Sequence, residues 1–174
     1  SRSTVSDLEW LRRSGIADVV ARRAKQGRTV VGICGGYQML CRTILDPDGQ
    51  ETAPGSVVEG LGLLPVEVNF AATKTLALSH GTWRGIEVGG YEIHHGVCRS
   101  LEDAEAFLDG IHVGPVWGTM WHGAFEHDEF RRTWLADAAR HAGSSWRPHS
   151  DELGYQARRE AMIETLADAL EAHV

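Results

Sequence analysis

The chain has 174 residues, a length that fits one domain, and its 43% hydrophobic and 24% charged residues are typical of a folded globular protein. Its formal net charge of -7 argues against the basic surface that nucleic-acid binding needs, so no nucleic acid is expected among its partners. The sequence has no apolar run near the ~20 residues of a membrane span and no signal-peptide core. This predicts no membrane contact and a cytoplasmic location.

The first residues predict two short helices, or one broken helix, followed by a strand. Ser6 and Glu9 fit a capping box that begins the first helix, and residues 14–15 interrupt the apolar periodicity. Gly27 fits the end of the second helix. Residues 29–33 form a short apolar run, typical of a strand that is buried on both faces of a parallel sheet. Because such a strand needs neighbours on both sides, the sequence predicts that the first strands of the domain are missing.

The rest of the chain predicts a strand-rich centre and two closing helices. Residues 37–44 fit a helix, and strand patterns follow at 61–70, 83–88, 91–95 and 111–121. Residues 127–141 predict an amphipathic helix. Ser150 is the expected cap of a last helix, whose apolar face carries Met162, Ile163, Leu166 and Leu170.

The segment 30–40 is the most informative for chemistry, because an apolar strand runs into Cys-Gly-Gly and then into a helix. This order matches a nucleophile elbow with Cys34 as the nucleophile. Gly32, Gly35 and Gly36 allow a tight strand-to-helix turn and a close approach of substrate to the backbone. The beginning of the next helix favours a thiolate, and the Gly35 N–H is placed to donate to an oxyanion.

A buried and inert cysteine is the alternative interpretation of Cys34, since free cysteine is among the most buried residue types. Three surrounding glycines favour the nucleophile, because a structural cysteine does not require them. Cys41 and Cys98 lack such surroundings and are interpreted as structural thiols. Three cysteines are also too few for a disulfide framework.

A thiol nucleophile needs an imidazole that accepts its proton and passes it to the leaving group. His122 ends a predicted strand, at the position where α/β enzymes keep their sites, and His94 and His95 have a similar setting. On spacing alone, each of these histidines could equally be a catalytic base or a hydrogen-bonded structural residue. Residues 94 and 95 point to opposite faces of a strand and no helical zinc motif occurs, so no metal site is expected.

Four ordered motifs carry a resemblance that covers essentially the whole chain. They are GICGGYQML at 32–40, VEGLGLLPV at 58–66, GYEIH at 90–94 and WHGAFEHDEFR at 121–131. In this order they resemble the glutamine amidotransferase domain of the cobyric acid synthase family. The resemblance implies an α/β fold of the class I glutamine amidotransferase (flavodoxin-like) type. Such a fold has a mostly parallel sheet with flanking helices, here with its N-terminal strands missing.

By this resemblance, residues 1–174 are one glutamine amidotransferase domain, the C-terminal fragment of a longer synthase whose N-terminal synthetase domain is absent. Cys34 attacks the side-chain amide of glutamine, giving a glutamyl thioester and ammonia, and His122 acts as base and then as acid. The resemblance implies an oxyanion and substrate-binding set of Gly35, Gly36, Tyr91, Glu92 and His94.

A catalytic carboxylate is not assigned. Related triad enzymes carry a glutamate two residues after the histidine, but Ala124 occupies that position here. The resemblance therefore implies a Cys–His dyad, and neither Glu126 nor Glu92 is assigned as a third member.

The resemblance also implies the cofactors and partners. The domain itself needs no cofactor, while ATP and magnesium serve the absent synthetase domain. There the ammonia amidates side-chain carboxylates of cobyrinic acid diamide in cobalamin biosynthesis. The expected partners are glutamine, that synthetase domain and its corrinoid substrate. A second oxyanion donor would come from a Pro-Gly loop ahead of Ser1, so the fragment alone is expected to be weakly active or inactive.

Three alternatives stay open at this point. One is the glutaminase subunit of a cell-wall precursor amidating enzyme, which shares the Cys-Gly-Gly-Tyr-Gln elbow. Another is a non-catalytic binding module, in which Cys34 would resist labelling by a glutamine-mimicking electrophile. The third is a cysteine hydrolase of the peptidase type, which would not release ammonia from glutamine.

Overall fold

The structure is a computed structural model that describes residues 3–149 and 153–173. Its helices are α1 (Thr4–Arg13), α2 (Ile16–Lys25), α3 (Gly35–Met39), α4 (Asp128–His141) and α5 (Tyr155–Glu171), with a 3₁₀ turn at Ala124–Glu126. Its strands are β1 (Val30–Ile33), β2 (Thr43–Asp46), β3 (Ser56–Glu59), β4 (Val66–Trp83), β5 (Ile86–Ser100), β6 (Glu105–Phe107), β7 (Gly110–Val113) and β8 (Val116–Thr119). None of the helices in these residues has the length and apolar character to span a membrane.

The strands form two four-stranded sheets, ordered β1-β8-β7-β6 and β3-β2-β4-β5. Together with the flanking helices they confirm the α/β class. The expectation of a mostly parallel sheet is wrong for the described residues, since only β1–β8 and β2–β4 are parallel. The reason is local, because turns of two residues separate β4 from β5, β6 from β7 and β7 from β8. Such short turns join antiparallel strands, whereas parallel strands need a long crossover.

The beginning of the chain follows the prediction only in part. The two helices and the break at Gly15 are confirmed, and Gly15 and Gly27 have positive φ angles of 76° and 70°. The capping box is wrong, because α1 begins at Thr4 and Ser6 lies inside it. β1 is also less buried than predicted, since it lies at an edge of its sheet within the described residues, and Val31 is 38% exposed.

Three further expectations, all about helices, have different outcomes. The helix predicted for 37–44 ends at Met39, and Ile44 lies instead in β2. The helix α4 is confirmed, and it contributes Phe130 and Trp134 to an aromatic core that also contains Trp83, Phe107 and Trp117. The predicted cap Ser150 lies outside the described residues, and α5 has no buried residue.

The β4–β5 hairpin extends far beyond its own sheet. Its inner half pairs Val66–Phe70 with residues 96–100, an irregularity follows between Phe70 and Thr75, and its outer half then continues as a two-stranded ribbon. The ribbon reaches the other sheet, where Trp83 and Val88 enter the aromatic core. A backbone bridge between Tyr91 and His122 joins the ribbon to the segment after β8. The β4–β5 hairpin thus connects its own sheet to the sheet that contains β1 and β8.

Gly32 and Gly36 provide a matched test of the strand-to-helix packing. A Cβ on Gly32 would lie 2.7 Å from the Gly36 backbone and 2.7 Å from Leu40 Cδ1, whereas a Cβ on Gly36 meets nothing within 4 Å. We expect Gly32→Ala to lower the free energy of unfolding by about 1–3 kcal/mol through overpacking. Gly36→Ala should change it by less than about 1 kcal/mol, because alanine favours the helix. Denaturant unfolding of both variants checks this, and equal stabilities would contradict it.

Candidate active site

Cys34 lies at the turn between β1 and α3, in the strand–turn–helix order that the sequence predicted. Its backbone has φ 51° and ψ -115°, an unusual conformation for a residue with a side chain. Two hydrogen bonds hold it there, because its N–H donates to the Thr119 carbonyl (2.8 Å) and its carbonyl accepts from the Gln38 N–H (3.0 Å). Cys34 is 2% exposed, yet it lines a cavity of about 730 Å³. The turn therefore places the thiol at the wall of this cavity.

His122 lines the same cavity from the segment that follows β8. Reciprocal backbone bonds of 2.9 and 3.0 Å join it to Tyr91, and the two rings stack with centroids 5.1 Å apart and an interplanar angle of 13°. A Cβ on Gly90 would lie 2.8 Å from the His122 carbonyl oxygen, so only glycine allows this close pairing. His122 is thus fixed in both backbone and ring orientation.

The environment of His122 favours its neutral form. Desolvation of the ring lowers the pKa of His122 below its ordinary value, and the nearby His94 adds to this effect. A neutral imidazole has one unprotonated nitrogen, which is the state that a general base requires.

Glu92 and His94 form a second polar pair at the site. The His94 Nε2 lies 2.8 Å from a Glu92 carboxylate oxygen, and the other oxygen accepts from the Ser79 hydroxyl at 2.5 Å. Burial raises the pKa of Glu92, but the hydrogen bonds from Ser79 and His94 outweigh it and leave the pKa below its ordinary value. The His94 Nδ1 is buried without a partner among the described residues. Glu92 therefore orients His94, which lines the cavity.

The structure brings together some of the sequence-predicted residues and leaves others aside. The cavity is lined by Cys34, Tyr91, His94 and His122, whereas Glu92 lies behind His94. Gly35 and Gly36 begin α3 directly after Cys34. Among the described residues, neither glycine is one of the cavity's lining residues.

The remaining histidine and carboxylate candidates have other partners. His95 also lines the cavity, and its Nδ1 lies 3.0 Å from the Ala71 carbonyl oxygen, which ties it to the irregular part of β4. Glu126 faces Arg159 at 3.7 Å, and Ala124 is buried. Within the described residues, no group of three or more histidine, cysteine, aspartate or glutamate side chains is arranged to hold a metal ion.

Sequence reasoning missed part of the cavity wall. Its further polar lining residues are Gln38, Gln50, Glu51 and Lys74. Gln38 belongs to the elbow motif, and its side-chain oxygen accepts from the Thr4 hydroxyl at 2.9 Å. Lys74 lies within the β4 irregularity and Glu51 in a loop, where its carboxylate accepts from the Val5 N–H at 2.9 Å. No local motif marks these last two positions.

The fully buried Thr119 connects the two candidate catalytic residues. Its carbonyl accepts from the Cys34 N–H, and its hydroxyl donates to Asp109 at 2.5 Å and accepts from the Trp121 N–H at 3.1 Å. Trp121 immediately precedes His122. The hydroxyl of Thr119 therefore shapes the segment that delivers His122, while its backbone holds the elbow.

Substitution of Thr119 tests this connection. We expect Thr119→Val to lower the free energy of unfolding by about 1–3 kcal/mol, because Asp109 loses the hydroxyl that donates to it. We also expect kcat of the reaction that the sequence motifs predict to fall more than its KM rises, because the positions of Cys34 and His122 change together. Thr119→Ser keeps the hydroxyl and should retain most activity. If the valine and serine variants had equal kinetics, the hydroxyl would have no positioning role.

Comparison with known proteins places the chain in a family. The family model described as the CobB/CobQ-like glutamine amidotransferase domain matches residues 1–130. Over 174 residues the chain is 98% identical to a cobyric acid synthase of Cutibacterium acnes, and over 173 residues it is 49% identical to one of Streptomyces coelicolor. A cobyric acid synthase of Mycolicibacterium gilvum is 45% identical over 174 residues.

The alignments include 99–100% of this chain but only 34–36% of those proteins, so the chain spans about a third of the length of the curated relatives it matches. The family match covers most of the chain and includes Cys34, the Tyr91–His94 motif and His122. The chain therefore belongs to the CobB/CobQ-like glutamine amidotransferase domain family.

Proposed function

We propose that residues 1–174 form a glutaminase domain, in which Cys34 is the nucleophile and His122 the general base and acid. The observation that carries this proposal is the shared cavity, where a strained elbow presents Cys34 and the Tyr91 stack holds a neutral His122. Membership of the glutamine amidotransferase family supports glutamine as the substrate.

The reaction proceeds in two stages that share one proton carrier. His122 accepts the thiol proton as the Cys34 sulfur bonds to the side-chain carbonyl carbon of glutamine. His122 then protonates the amide nitrogen and the C–N bond breaks. Ammonia departs, and the glutamyl group remains bound to Cys34 as a thioester. In the second stage His122 takes a proton from water, and the resulting hydroxide attacks the carbonyl carbon of the thioester. The C–S bond then breaks, glutamate departs, and His122 returns the proton to the Cys34 sulfur.

The other motif residues support these steps by binding and orientation. The Gly35 N–H donates to the oxyanion of each tetrahedral intermediate. Gly36 lets the substrate approach the first turn of α3. Tyr91 keeps the His122 plane fixed, and the Glu92–His94 pair orients the bound glutamine.

The relatives suggest where the ammonia goes. They are named cobyric acid synthases and are about three times as long as this chain. In our proposal, the rest of the longer protein is a synthetase domain that uses ATP and magnesium. It binds the corrinoid cobyrinic acid diamide and amidates its side-chain carboxylates in cobalamin biosynthesis.

Labelling with a glutamine-mimicking electrophile, alongside an ammonia-release assay, tests the proposed function. We expect the electrophile to modify Cys34 and glutamine to protect it. Cys41 and Cys98 should stay unmodified, because burial raises the pKa of Cys41 to about 12 and also raises that of Cys98. An unlabelled Cys34 would indicate a binding module. Peptide cleavage without ammonia release would indicate a hydrolase of the peptidase type.

A further inference from the structure

The outer half of the β4–β5 ribbon carries an exposed apolar surface, here called the ribbon patch, formed by Leu76, Leu78, Tyr91 and Ile93. Leu76 pairs with Ile93 and Leu78 with Tyr91, so the four side chains share one face of the ribbon. Leu76 is 77% and Leu78 is 81% exposed, and the four residues line a shallow groove of about 320 Å³. The patch contains no charged side chain.

The opposite face of the same ribbon is packed against protein. Gly81 and Gly90 lie against the Trp121 side chain, and Trp83 and Val88 enter the aromatic core. Towards the turn of the hairpin this face of the ribbon is therefore covered, whereas the ribbon patch exposes a contiguous group of large apolar side chains. Isolated exposed leucines are ordinary, but contiguous apolar patches mark interaction sites.

The ribbon patch is continuous with the candidate active site. Tyr91 and Ile93 line both the groove and the cavity that contains Cys34 and His122. Tyr91 also stacks on His122. A partner seated on the patch would consequently lie at the rim of the cavity.

Two observations indicate which protein segment covers the ribbon patch: the length of the relatives and the need for a nearby acceptor of ammonia. About two-thirds of the Cutibacterium acnes relative lies outside the part that matches this chain. Ammonia released into water takes up a proton and loses its nucleophilic lone pair, so an acceptor must be close to the cavity mouth. We propose that the ribbon patch is the docking surface for the remaining part of the longer chain. This inference rests on the proposed function.

The test uses the full-length Cutibacterium acnes relative with Leu76→Glu and Leu78→Glu combined, in the numbering of this chain. We expect glutamine-dependent amidation to fall roughly tenfold or more, because two charges enter an apolar contact. Amidation driven by added ammonium salt should stay within about twofold of wild type, which shows that the rest of the protein is folded and active. Leu76→Ser combined with Leu78→Ser is a milder second variant with the same expected direction.

Val57→Glu is the matched control, since Val57 is 67% exposed and lies on β3, at the opposite edge of the same sheet. Unchanged glutamine-dependent amidation in both patch variants would overturn the docking proposal, and so would an equal loss in Val57→Glu.

Light scattering provides a further check. If the patch variants dissociated a dimer without affecting amidation, the occupant would be a second copy and the proposal would be wrong. A Cys34→Ser protein that retained glutamine-dependent amidation would instead contradict the proposed function.

Discussion

Replacement of Cys34 by serine is expected to reduce glutamine hydrolysis by roughly 10⁴-fold or more, while the protein remains folded. The substitution is nearly isosteric, but a serine hydroxyl is far less ionised than a thiol at neutral pH, and a single imidazole does not compensate. The hydrogen bonds that Cys34 makes through its backbone, to Thr119 and Gln38, do not depend on the side chain. Ammonia release gives the rate, and thermal unfolding verifies the fold.

The other two cysteines serve as controls for this prediction. Cys41 and Cys98 do not line the cavity, and neither they nor Cys34 form a disulfide. Cys41→Ser and Cys98→Ser should therefore retain glutaminase activity. The assay is best done in the full-length relative, where ammonium-driven amidation reports separately on the rest of the protein. Substantial glutamine hydrolysis by Cys34→Ser would remove Cys34 as the nucleophile.

His122→Ala should reduce glutamine hydrolysis about as much as Cys34→Ser does, because a nucleophile and its base act as one unit. His94→Ala should cost less, since His94 is paired with Glu92 and contributes binding and orientation. Steady-state kinetics of the two variants decide the assignment. A dispensable His122 beside an essential His94 would make the base assignment wrong.

The pH profile of the wild-type protein gives an independent measure of the same assignment. Protonated His122 cannot accept the thiol proton, so activity is present above its pKa and lost as pH falls through that value. Because desolvation lowers the pKa of His122, the acid limb of kcat/KM should lie below about pH 6.5, the ordinary value for histidine. An acid limb above that pH would show that a different group controls the reaction.

Local patterns in the sequence were sufficient to predict the elbow and the position of His122. A strand, a Gly-rich turn and a helix are each encoded within a few residues, and the structure has that order around Cys34. Whether Cys34 and His122 act as nucleophile and base stays a prediction. The sequence also predicted the helices on either side of Gly15 and the helix α4, because both depend on local periodicity and on glycine.

Features that depend on distant residues were not predictable. The bridge from Tyr91 to His122 and the bond from the Thr119 hydroxyl to Asp109 have no local signature. The apolar run of β1 indicates parallel pairing for that strand alone, whereas two-residue turns make β4–β5, β6–β7 and β7–β8 antiparallel. The position of Lys74 in the cavity wall follows from an irregularity in strand pairing, which composition does not reveal.

The parallel pairing of β1 with β8 affects the order in which the chain folds. Val30 pairs with Val116 across about half of the chain length, whereas β4–β5, β6–β7 and β7–β8 pair strands that are neighbours in sequence. Loop closure costs less entropy for near neighbours, so hairpins form before pairings of large sequence separation. Cys34 and His122 meet only after the slowest of these contacts is made. We therefore expect a nascent or partly folded chain to contain hairpins before Cys34 and His122 come to line one cavity.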